Sequence, residues 1–128
     1  MTGTPVEKTY VMLMVTDMSR ALRFYTEAFD VNVVINSPYW SEFTVAGTNI
    51  ALHPGGTSDQ TRTGLGFEVK DLDAALQRTT EVGGQITSPP RERAQERIRV
   101  AEIARPGRQC DHRRGVDQLA RQSGQVDC

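Results

Sequence analysis

The spacing of apolar residues changes several times along the chain, and each change marks a predicted element. Thr9–Val15 is an apolar run rich in strand formers. Asp17 stands at a helix N-cap position, and Leu22, Tyr25 and Phe29 follow at helical spacing, which predicts a helix over Met18–Asp30. Val31–Asn36 is short and β-branched, a strand, and Ser37-Pro38 turns the chain. Trp40–Ala46 and Asn49–His53 read as two strands joined at Gly47-Thr48. Pro54–Arg62 is polar and reads as a linking loop. The pattern then restarts. Gly64–Val69 is a strand, Asp71 a cap, and Leu72–Val82 a helix closed by Gly83-Gly84. Gln85–Ser88 begins a strand that Pro89-Pro90 is expected to interrupt, and alternation resumes over Ile98–Ala104.

The restart is an internal repeat. Tyr10–Asp30 lies over Gly64–Gly84 at an offset of 54 residues without a gap. Val15/Val69, Asp17/Asp71, Ala21/Ala75, Leu22/Leu76, Thr26/Thr80 and Glu27/Glu81 are identical pairs. Each half therefore follows the plan strand–helix–strand–strand–strand, at least until the tail is reached.

Composition divides the chain differently. The 128 residues suit one domain. Residues 1–87 carry a net charge of −4 and residues 88–128 a net charge of +3, the latter through nine arginines. All eight aromatic residues lie at or before Phe67. From Arg105 onward few apolar side chains remain, too few to repay the entropy of ordering the segment. The near-neutral total of −1 argues against a nucleic-acid partner, and no window approaches a membrane span. A cytoplasmic protein is expected. Cys110 and Cys128 show no metal-binding spacing.

The segments YVMLMVTDMSRALRFYTEAF and GLGFEVKDLDAALQRTTEVGG resemble the vicinal-oxygen-chelate superfamily, which includes glyoxalase I, extradiol dioxygenases, and fosfomycin and bleomycin resistance proteins. The resemblance covers residues 6–104. It implies an α+β fold of paired βαβββ modules, about 6–54 and 62–104, curled around a cleft, with the last strand doubtful. It also implies a homodimer.

In the resembled family a strand like Ile98–Ala104 is followed by Asp-Pro-Asp-Gly-Asn and a final strand. Here Arg105-Pro106-Gly107-Arg108-Gln109 stands instead. Codons for Arg105 onward, read one base later, can encode Asp-Pro-Asp-Gly-Asn-Val-Ile-Thr. A frame shift at or just before Arg105 would account for the missing motif, the arginine excess and the missing apolar residues together. The alternative is a diverged, disordered tail over residues 105–128.

Metal enzymes of that superfamily hold a divalent ion with His and Glu or Gln from inward-facing strand positions. By resemblance those positions fall at Tyr10, Gly64, Ala51 and, in the tail, Asp111-His112-Arg113. Glycine and alanine offer no side-chain donor, and tyrosine is a poor ligand near neutral pH because its pKa is about 10. No metal site and no cofactor are expected. Metal-free members resemble binding proteins that sequester antibiotics, which implies an apolar, aromatic-lined cleft. Candidate ligand-binding residues are Tyr10, Met12, Met14, Trp40, Phe43, Ala51, His53 and Glu68, with Tyr39 and Phe67 as further aromatics. Tyr10, Met12 and Met14 share one strand face. Trp40 and Phe43, three apart, should point to opposite faces, so at least one belongs to the core. Glu68 shares a face with Gly64 and Gly66. It could therefore enter the cleft, although taken alone it reads as an ion-paired or solvated group; Glu42 and Glu102 are further strand carboxylates. The leading expectation is metal-independent binding of a small hydrophobic or aromatic molecule. The alternatives are a metal-dependent lyase, isomerase or dioxygenase, and an inactive partner-binding remnant.

Overall fold

The computed structural model describes residues 3–56, 63–95, 97–106 and, by backbone, 125–127. Cys110, Cys128 and Asp111-His112-Arg113 lie outside the described residues. Ten elements follow in order: β1 (Val11–Val15), α1 (Met18–Ala28), β2 (Asn32–Ile35), β3 (Ser41–Val45), β4 (Thr48–Pro54), β5 (Gly66–Glu68), α2 (Leu72–Glu81), β6 (Gln85–Arg93), β7 (Ile98–Ala104) and β8 (Gln125–Asp127). The α+β architecture and its two βαβββ halves follow the sequence reading.

Both helices start as the repeat requires. The Asp17 carboxylate accepts from the Arg20 N–H at 3.1 Å, and Asp71 accepts from the Ala74 N–H at 3.0 Å. Each cap satisfies a backbone donor that the first helical turn leaves open. On α1, Ala21, Leu22, Phe24 and Tyr25 are buried; on α2, Leu72, Leu76 and Thr79 are. Gly84 lets α2 end against its neighbours. A Cβ there would stand 2.7 Å from Phe24 and Thr79 side-chain atoms and 3.0 Å from the Ala104 carbonyl oxygen.

One sheet has the order β1-β4-β3-β2 and the other β5-β8-β7-β6. In the first, β4 runs parallel to β1 and antiparallel to β3. Leu13 and Val15 from β1, Phe43 from β3, and Ile50 and Leu52 from β4 face the helices. They join one core with Leu72, Leu76, Ala101 and Ile103 of the second half.

The second sheet departs from the first in one respect. β8 occupies the place of β4, between β5 and β7, but runs the other way: antiparallel to β5 and parallel to β7. A parallel neighbour needs a crossover of a dozen or more residues, and residues 105–124 are long enough to make one. The tail's composition argues against a substitute strand, yet three of its residues form one. The physical reason lies in β5 and β7, whose facing N–H and C=O groups would otherwise go unpaired inside a sheet. Pro89-Pro90 does not interrupt β6 either. β6 is an edge strand, where a missing N–H is tolerated, and its pairing with β7 shifts register between Ser88 and Arg91.

Arg105, placed by sequence in the tail, is buried. Its guanidinium donates to the Tyr25 hydroxyl at 3.0 Å and to the Met14 carbonyl at 3.1 Å. It thereby ties the end of β7 to α1 and to the outer edge of β1. No helix among the described residues is long and apolar enough to cross a membrane.

Candidate functional site

The alternation of β1 decides which face of the first sheet is open. Leu13 and Val15 are buried, whereas Met12 and Met14 are 47% and 42% exposed on the other side. Register carries that open face across the sheet: Met12 lies beside Ala51, Met14 beside His53, and Ala51 beside Glu42. Ala51 is fully buried in the middle and forms the floor.

Glu42 organises one side of this face. It is buried, and its carboxylate accepts from Lys8 Nζ at 2.5 Å and from the Trp40 indole N–H at 2.8 Å. The hydrogen bond fixes the indole beside Glu42. The Tyr10 ring packs against the indole in a T-shaped contact at 5.5 Å, and the His53 ring in another at 6.0 Å. Tyr10, Trp40 and His53 make an aromatic corner beside two exposed thioethers, a surface that suits a flat apolar ligand.

The hydrogen bond from Lys8, then that from Trp40, holds the Glu42 carboxyl below its ordinary pKa, against the opposing effect of burial. A carboxyl whose pKa is lowered by folding stabilises the fold above its unfolded pKa, and the contribution is lost as pH falls through the folded value. Glu42→Gln is therefore expected to lower the urea midpoint at neutral pH, with the gap to the parent closing on acidification. A gap independent of pH would contradict this.

The predicted site residues fall into three places. Tyr10, Met12, Met14, Trp40, Ala51 and His53 come together on the open face. Phe43 does not: it is fully buried on the helix side, with its ring 5.1 Å from that of Tyr25. Its odd spacing from Trp40 puts it on the core face of β3, which corrects its inclusion among the ligand-binding residues. Glu68 does not join the open face either. With Phe67 it lines a separate cavity of about 730 Å³ that also touches Val11, Phe29, Ile50 and Gly64. Phe29 and Phe67 pack there at 4.4 Å. Tyr39 is 79% exposed. Sequence reasoning underrated Glu42, although its even spacing from Trp40 signalled a shared face. It gave no role to Lys8, whose pairing with Glu42 spans a long sequence separation.

A metal does not fit the described positions where the superfamily would hold one. Among the described residues no group of three or more His, Cys, Asp or Glu is placed to hold an ion. Ala51 and Gly64 supply no side-chain donor, and the carboxylate of Glu42 is occupied by Lys8 and Trp40.

Paired βαβββ modules with an open sheet face define a known class of proteins, and comparison agrees. Residues 9–107 match the family model of the Glyoxalase/Bleomycin resistance protein/Dioxygenase superfamily, and the chain belongs to that superfamily. No curated protein matches it by sequence. Among solved structures it is similar to a mutant of the fosfomycin resistance protein FosX from Listeria monocytogenes, complexed with Mn(II) and 1S,2S-dihydroxypropylphosphonic acid. The TM-score is 0.67 at 18% identity, over 97% of this chain and 90% of that one. It is also similar to a glyoxalase-related enzyme from Fulvimarina pelagi, with a TM-score of 0.63 at 15% identity, over 95% and 88% of the two chains. At these identities the likeness concerns the fold.

Proposed function

We propose that this protein binds a small hydrophobic or aromatic molecule on the open face of β1, β4 and β3, without a metal ion. The observation that carries this reading is the aromatic corner of Tyr10, Trp40 and His53 beside half-exposed Met12 and Met14. Large apolar and aromatic side chains clustered in the open on one sheet face mark a binding surface. A second copy of the chain, forming a homodimer, is part of the same proposal.

Trp40 is the single tryptophan, so its emission reports directly on the face. A panel of bleomycin-like and planar antibiotics is expected to include at least one that quenches it saturably. Tyr10→Ala should weaken that quench about 2- to 10-fold, the worth of one aromatic contact. An absence of saturable quenching across the panel would favour an inactive remnant.

A second reading has one observation in its favour. FosX, whose fold this chain shares, is described with Mn(II). A metal-dependent lyase, isomerase or dioxygenase built on unusual ligands would be purified with metal, and His53→Ala would remove it.

A further inference from the structure

His53 lies on β4 beside Met14, half-buried, with its ring in T-shaped contact with Trp40. Its Nδ1 is 2.5 Å from the carbonyl oxygen of Pro54. A carbonyl oxygen can only accept, so the proton of the neutral imidazole sits on Nδ1. Nε2 is left with its lone pair, at the end of the ring away from the backbone. Among the described residues Nε2 has no hydrogen-bond partner.

Two other polar side chains beside the Trp40 ring are committed to each other. One Glu42 oxygen takes the Trp40 N–H and the other takes Lys8. The indole donor is spent in the same contact. The thioether sulfurs of Met12 and Met14 are weak acceptors. Of the two rings in contact with Trp40, those of Tyr10 and His53, the imidazole thus offers an open nitrogen acceptor, a stronger one than the Tyr10 hydroxyl.

We infer that His53 is a specificity-determining residue: its Nε2 accepts a hydrogen bond from the ligand, so the face selects planar aromatic molecules that carry an N–H or O–H donor over their N- or O-alkylated counterparts. The inference rests on the binding reading above and adds the class of ligand. A buried acceptor facing an alkylated ligand loses its water and gains no partner, which is the source of the discrimination.

The test uses two neutral probes of one shape, 4-nitroaniline and N,N-dimethyl-4-nitroaniline, both of which absorb where tryptophan emits. Each is titrated against the full chain in one mildly alkaline buffer. Apolar burial alone favours the dimethyl compound. The inference expects the reverse, with 4-nitroaniline bound about 3- to 10-fold more tightly, the range of one net hydrogen bond. His53→Phe keeps a ring beside Trp40 and removes the acceptor, and should abolish or invert the preference. His53→Gln returns a carbonyl acceptor and should restore part of it. Saturable quenching by both probes with no preference for 4-nitroaniline in the parent chain overturns this inference and leaves the binding reading standing. A preference that survives in His53→Phe does the same. No saturable quenching by either probe counts against the binding reading and removes this inference with it.

Discussion

Replacing Phe43 by alanine is expected to lower the unfolding free energy by about 3–5 kcal/mol, the usual cost of emptying a buried phenylalanine site. Phe43 is fully buried between β4 and α1, beside Ile50 in the sheet register and face-near to Tyr25. Its ring sits at the centre of the first half, where little can collapse to fill the space. The measurement is the urea midpoint with the slope held constant. Trp40→Phe, on the open face, loses the hydrogen bond to Glu42 but empties no core site, and should cost less, about 1–3 kcal/mol. A loss below about 1 kcal/mol for Phe43→Ala would mean that Phe43 lines the ligand surface after all.

Arg105→Asp is expected to be similarly costly, about 3–5 kcal/mol, the range for breaking a buried charged contact. Aspartate is also the residue that a reading frame shifted by one base would place there, so the variant tests that proposal at its first codon. In the chain as written, Arg105 supplies two hydrogen bonds, to the Tyr25 hydroxyl and the Met14 carbonyl. Aspartate has no donor when ionised and is too short to reach either partner, so it leaves the Tyr25 hydroxyl and Met14 carbonyl without their donor and adds a buried, unpaired carboxylate. Arg105→Met removes the donors without adding the buried charge, and should cost about 1–3 kcal/mol. Urea unfolding reads both. A neutral or stabilising Arg105→Asp would show that the position suits the shifted frame better than the written one. A large loss would show that arginine is adapted to its place.

The first half of the molecule was legible because its signals are local. Caps at Asp17 and Asp71, the helical spacing of Leu22 and Tyr25, and the alternation of β1 each act within a few residues, and the repeat confirmed them at a second place. The grouping of Tyr10, Met12 and Met14 against Leu13 and Val15 was legible for the same reason, but alternation alone did not say which group faces the helices; that came from the resemblance. What failed depended on distance. Glu42 gains its role from Lys8, thirty-four residues away, and Arg105 from Tyr25, eighty residues away. β8 exists because two strands elsewhere leave a slot, and its own composition gives no hint of that. Phe43 shows the opposite case: a three-residue spacing from Trp40 forbade both from facing one ligand, and the constraint left open only which of the two was core.

The reversed β8 also bears on how the molecule comes together during synthesis. β5 must wait for a partner about sixty residues further along the chain, whereas β1 waits for about forty. At a synthesis rate of about 5–20 residues per second, β5 spends roughly 3–12 s without its neighbour. The β6–β7 hairpin is made within that interval from contiguous residues, so it is the natural nucleus of the second sheet. Closure by β8 then comes last. A ribosome that slows before codon 125 prolongs the time in which β5 and β7 present bare strand edges to other chains.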